Sequence, residues 1–184
     1  MKKLLLLFGI ISVMVVAGCS QSDSGEEEAS DNSSTEENQT NEDQTDSTQV
    51  KKDVLNAQRD FTSTISPYQQ KINAYQASLA DEEAAEEDTQ AAAEEALTAA
   101  KDAQTELEGY EFSTDLPEDV EEKYNSALSS LSEYYAEMHS AIEESALDPD
   151  FSNAEAKWEE FQTQINELYE GIDMHAPNMG DALS

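Results

Sequence analysis

The strongest constraint on the fold of this chain is a run of apolar residues near its C-terminus. Ala154, Trp158, Phe161, Ile165, Leu168 and Ile172 recur at intervals of four and three, which places them along one face of an α-helix. The preceding Ser152-Asn153-Ala154-Glu155 has the form of a capping box, with Ser152 as the cap and Glu155 three residues on. A helix with one apolar face must bury it against another element, and no stretch of this chain shows the two-residue alternation of a half-buried strand. Its partners are therefore other helices.

Three further segments supply them. Val54, Phe61, Ile65, Tyr68, Ile72, Tyr75 and Leu79 form a stripe that runs past Pro67. This predicts one long helix kinked near Pro67, or two collinear pieces, because proline removes one i to i−4 hydrogen bond. Asp81 to Glu108 holds nine alanines between Ala84 and Ala103, which favour helix but bury little area each. Its stripe is Thr89, Ala92, Ala96, Ala99, Ala103, Leu107 and Tyr110. After Gly109, the sequence Asp115-Leu116-Pro117-Glu118 signals another helix start. Val120, Tyr124, Ala127, Leu131, Tyr134, Met138, Ala141 and Ile142 follow at helical spacing. Short connections between segments of similar length predict an all-α, up-down antiparallel bundle of four helical segments over residues 50–173. The alternative is a three-helix bundle with Val50–Ile65 extending a tether. Residues 174–184 contain Pro177 and Gly180 and are expected to fray.

The N-terminus is of another kind. Lys2 and Lys3 precede 14 apolar or small residues, Leu4 to Ala17, and Cys19 follows Val16-Ala17-Gly18. The apolar run is shorter than the roughly 20 residues of a transmembrane helix, and the layout is that of a secretory signal. The segment resembles the signal peptide and lipobox of bacterial lipoproteins, with Val16 where Leu is more common. The resemblance implies cleavage after residue 18 and a diacylglyceryl group on Cys19. It places the protein on the extracytoplasmic face of the cell membrane. Two acyl chains suffice for stable attachment, whereas one is marginal. Cys19 is the only cysteine, so neither disulfides nor a cysteine metal site can support the fold.

Between anchor and bundle, residues 19–49 read as a linker. Ser20 to Gln49 contains ten acidic residues, no Lys or Arg, and Ala29 as its one apolar side chain. Such a segment is expected to be disordered. The whole chain carries a formal net charge of −33. That excess argues against nucleic acid as a partner, which requires a basic patch. The acids are spread over all segments, which fits adaptation to salt or simple solubility better than a dedicated cation store. The pattern of a Pro-led third helix, a Pro-Asp turn and a final amphipathic helix is similar to small helical lipoproteins of Gram-positive bacteria, including ones assigned to cell-wall binding. The likeness carries over no site residue.

Candidate chemistry is sparse. His139 has Ala136 where a di-metal Glu-x-x-His pair would need Glu, and His175 lies in the tail. Asp148, Asp150, Ser152 and Glu159 match positions 1, 3, 5 and 12 of a calcium loop, but Asn153 stands where the sharp turn needs Gly. The helix cap claims the same residues. Asp81-Glu82-Glu83 and Glu86-Glu87-Asp88 read as a solvated face. Seven tyrosines with Trp158 could line a sugar-binding groove, although aromatic residues at helical spacing more often form core with the hydroxyl at the rim. No nucleophile–base pair and no phosphate loop occurs. The expectation is a non-enzymatic, cofactor-free surface lipoprotein whose bundle contacts the wall or a protein partner. The alternative is a binding protein for a small molecule or cation. A buried polar group or a cavity between helices would favour the latter.

Overall fold

The computed structural model describes the backbone from Glu37 to Ser184 and side chains from Asp46 onward. The signal segment, the lipobox and Cys19 lie outside the described residues. Among the described residues five helices follow in order: α1 Glu37–Ala80, α2 Glu86–Glu108, α3 Glu118–Glu144, α4 Ser152–Glu170 and the short α5 Met179–Ala182. No strand occurs among the described residues. None of the described helices is long and apolar enough to cross a membrane.

Side-chain pairs fix the topology of the bundle. Lys71 meets Glu95 and Asp60 accepts from Ser113, so α1 and the α2 end of the bundle run in opposite directions. Tyr75 reaches Ala146 and Phe151, Phe61 meets Phe161, and Gln58 meets Tyr169, so α4 also runs against α1. Ser130 bonds Gln164 while Tyr134 packs on Trp158, which sets α3 against α4. The result is the four-helix, up-down antiparallel bundle that the periodicity predicts. Val54, Ala57, Phe61 and Ile65 are fully buried, which excludes the three-helix arrangement.

α1 is one helix that contains Pro67. The bond from position 67 to the Ser63 carbonyl is missing, but both residues are exposed. Water can serve that carbonyl, and the buried face continues past it. The same helix starts at Glu37, twelve residues before the expected end of the linker at residue 49. Once a helix is nucleated, each added residue gains a hydrogen bond, so the packed stripe beyond Val50 can propagate backwards.

Other boundaries move for local reasons. α2 begins at Glu86 rather than Asp81. The Asp81 carboxylate accepts from the Glu83 N–H and closes a turn, and acids fill the first helical turn. Thr89, Ala96, Ala99, Ala103 and Leu107 are buried as the spacing predicts, while Ala93 is buried in place of the half-buried Ala92 and Ala100 widens the α2 stripe. The α3 stripe is buried as the spacing predicts, and Leu128, Ser130 and Tyr135 widen it.

The capping box at α4 does not form. Ser152 is the first helical residue, and the Phe151 carbonyl takes the Glu155 N–H at 2.8 Å. The cap comes from two residues earlier: Asp150 Oδ1 accepts from the Ser152 N–H at 3.0 Å. Backbone and side-chain hydrogen bonds from Ser152 hold the Asp150 carboxyl below its ordinary range. An acid at a helix start also matches the dipole.

α4 closes with Asp173 at φ 53°, and the Met174 N–H reaches back to the Tyr169 carbonyl at 2.9 Å. This is a Schellman closure with Asp where glycine is usual. A side chain in the left-handed region is strained, so Asp173→Gly should raise stability by up to about 1 kcal/mol. A thermal melt showing no gain would mean that Asp173 makes a compensating contact.

The expectation of a frayed tail is overturned. Met179 and Leu183 are fully buried. Asn178 caps α5 through the Gly180 N–H, and Gln162 on α4 grips the segment from both sides. Its amide donates to the Pro177 carbonyl at 3.1 Å and its oxygen accepts from the Met179 N–H at 2.9 Å. Pro177 and Gly180 thus shape a docked turn.

A candidate ligand cleft between α1, α3 and α4

Gln69 sits where the α1 stripe requires an apolar residue, on the face of Phe61, Ile65 and Ile72. It is 6 % exposed. A buried amide is costly unless its groups are paired, and here they are. Its oxygen accepts from the Tyr135 hydroxyl at 2.8 Å. Its nitrogen donates to Asn73 Oδ1 at 2.9 Å and to the Tyr134 hydroxyl oxygen at 3.3 Å. Tyr134 accepts in this network, and its own O–H meets no acceptor among the described residues. Burial pushes both tyrosines above their ordinary value, with the Gln69 bond opposing the shift at Tyr134 and Tyr134 reinforcing it at Tyr135. Both therefore stay protonated donors at neutral pH.

This network forms the floor of a cavity of about 380 Å³. Asn73 and Gln76 line it from α1, Tyr134 and Met138 from α3, and Phe151, Glu155, Trp158 and Glu159 from the start of α4. Gly180 and Ser184 close it from the docked tail. Helical spacing explains the convergence: Gln69, Asn73 and Gln76 share one face of α1, as Glu155 and Glu159 share one of α4. Trp158 is half-buried rather than central, with its ring centroid 5.1 Å from Tyr134 and 5.5 Å from Phe161. It also lines a more open groove towards Pro177 and Asn178. The one nearby base, Lys157, is held by Glu133 and Glu160, and no Lys or Arg lines the cavity.

Tyr75 and Tyr169 form core with hydroxyls at the rim, while Tyr68 and Tyr110 are half-buried. Tyr75 donates to the Ala146 carbonyl at 2.9 Å, and Tyr169 donates to Gln58. Tyr124 differs, because its buried hydroxyl faces that of Tyr169 without closing a hydrogen bond of ordinary geometry. Burial pushes its phenol far above the ordinary value, with Tyr169 adding to the shift. A buried hydroxyl without a partner destabilises by about 1–3 kcal/mol relative to its apolar counterpart. Tyr124→Phe should therefore raise the melting temperature, and a lowered one would mean that the contact with the Tyr169 hydroxyl outweighs the cost of burying the group.

Several sequence candidates do not converge. His139 lies 4.0 Å from Glu143, one turn away on α3, and His175 is exposed. The residues matching a calcium loop are taken up otherwise: the Asp148 N–H bonds Ser145, Asp150 caps α4, and Glu159 lines the cavity. No group of three or more His, Cys, Asp or Glu comes together among the described residues. The acidic run at the start of α2 is exposed. The sequence reading missed Gln69, although its place in the Phe61–Ile65–Ile72 register marks it as a polar residue in a seam.

No protein-family model, no curated protein and no solved structure matches this chain.

Proposed function

We propose that this chain is a non-enzymatic surface lipoprotein, held by diacylglyceryl on Cys19 at the extracytoplasmic face of the cell membrane, whose bundle binds a small molecule. The observation that carries the ligand-binding half is the Gln69 network flooring an open cavity. A bundle that only had to be stable would fill that seam with an apolar side chain. Aromatic rings, amides, a free hydroxyl proton and carboxylates suit reversible binding. They offer no nucleophile with a base beside it. The anchor half rests on Val16-Ala17-Gly18-Cys19 after a short apolar run.

A second reading is contact with the cell wall or a surface protein. The acidic exterior favours it: residues 50–173 hold 31 acids against 7 bases, so any such partner would present basic groups.

The two halves are tested separately. Cys19→Ala should abolish incorporation of a fatty-acid probe in growing cells and leave an unprocessed precursor. Label retained by the Ala variant would refute the anchor. For the cleft, ligands screened by thermal shift should stabilise the native chain more than Gln69→Leu. Equal shifts in both would place binding elsewhere.

A further inference from the structure

We propose that the cleft takes an organic cation bearing an N-methylated ammonium group, a specification that rests on the cleft being a ligand site at all. Three aromatic residues, Tyr134, Phe151 and Trp158, line one cavity. Such rings attract cations through their quadrupoles, and most strongly those that give up water easily. Glu155 and Glu159 stand at its mouth four residues apart on the same helix. Like charges at that spacing repel, and a cation between them relieves the repulsion. No basic side chain competes, because Lys157 is committed to Glu133 and Glu160.

The other ligand classes fit less well. A metal ion fits less well, because no group of three or more His, Cys, Asp or Glu that could hold one occurs among the described residues. An anion would meet two carboxylates and no base. A neutral saccharide could stack on Trp158, but it would leave the carboxylate pair uncompensated. The Tyr134 O–H, which has no acceptor among the described residues, adds a requirement: the ligand should carry an oxygen a short arm away from the ammonium. The cavity of about 380 Å³ has room for both groups.

Trp158 is the only tryptophan, so its emission reports on this cavity. The purified full chain is titrated at constant ionic strength with choline, with its uncharged carbon isostere 3,3-dimethyl-1-butanol, with tetramethylammonium, and with N-acetylglucosamine. Choline should change the emission saturably and bind on the order of tenfold more tightly than the isostere. The double variant Glu155→Gln, Glu159→Gln should weaken choline about fivefold and leave the isostere unchanged. Tyr134→Phe should weaken choline but not tetramethylammonium, which has no oxygen. Circular dichroism of each variant checks that the fold is retained. If the isostere matches choline, or if N-acetylglucosamine alone responds, the cation assignment is wrong and the cleft reading stands. If no compound changes the emission, the cation proposal is overturned, and the thermal-shift screen with Gln69→Leu decides the cleft separately.

Discussion

Phe61→Ala is expected to lower the melting temperature by roughly 10–20 °C, more than any other single truncation in the bundle. Phe61 is fully buried on α1. Its ring meets Tyr110 edge-on at 6.1 Å and Phe161 of α4 at 6.4 Å. It therefore joins three parts of the chain that are far apart in sequence. Aromatic-to-alanine changes in a core cost about 3–5 kcal/mol, against a total stability of roughly 5–15 kcal/mol. For a domain of this size each kcal/mol shifts the midpoint by about 3–5 °C. The alanine-rich face of α2 leaves little reserve, since Ala93, Ala96, Ala100 and Ala103 bury small side chains. Trp158→Ala is the necessary comparison. Trp158 is the largest apolar group on the α4 seam, and periodicity alone makes it the keystone. Its half-buried position at the cleft mouth changes that ranking, and its loss should cost roughly half as much. Melts followed by circular dichroism measure both. A larger loss for Trp158→Ala would mean that the cleft, not the Phe61 junction, holds the bundle together.

What could be read from sequence depended on how many residues carried each signal. The α3 stripe and the α4 seam repeat over several turns, and one misplaced residue does not alter such a pattern. The α1 stripe outweighed Pro67 for the same reason: one missing bond on the exposed side is small against a continuous buried face. Signals carried by one or two residues were less secure. Asp150 precedes α4, Ser152 opens it, and both can accept from a helix N–H, so a shift of two residues in the helix start decides between them. The tail is set by tertiary contact. Asn178 ahead of Met179 and Leu183, four apart, is a faint helix signature, but a single turn is unstable alone and forms here because Gln162 and the core receive it.

The cleft was legible in its parts and hidden in its assembly. The aromatic residues and the acids of α4 were visible, and the sequence allowed for a groove or a buried polar group. Gln69 is masked in the sequence because Tyr68, next to it, continues the α1 stripe at the same helical spacing. In the structure Tyr68 is half-buried and lines a groove on the α2 side with Pro67 and Lys71. A shift of one residue on a helix turns the side chain by about 100°. That shift separates a surface glutamine from one buried among tyrosines.

Raising NaCl from 10 mM to 1 M should increase the melting temperature by about 10 °C, and most of the gain should come below roughly 0.3 M. Residues 50–173 carry 31 acids and 7 bases, a net charge near −24. Few of those acids are compensated. Among the described residues the ion pairs are Lys71–Glu95, Lys157 with Glu133 and Glu160, and His139 with Glu143 at 4.0 Å. Acids also crowd the first turns of α2 and α3, where the helix dipole offsets only part of their repulsion. Self-repulsion on this scale destabilises the compact state. The screening length falls from about 30 Å at 0.01 M to about 10 Å at 0.1 M and about 3 Å at 1 M. Screening of charges spaced along helix surfaces is therefore largely complete once that length drops below their separation. Strengthened apolar burial in concentrated salt behaves differently, because it rises steadily with concentration and depends on the identity of the anion. A steep rise followed by a plateau, the same in chloride and sulfate at matched ionic strength, identifies repulsion as the cause. A linear rise that differs between the two salts would assign the effect to apolar burial. A flat response would mean that the acids are already far enough apart to cost the fold nothing.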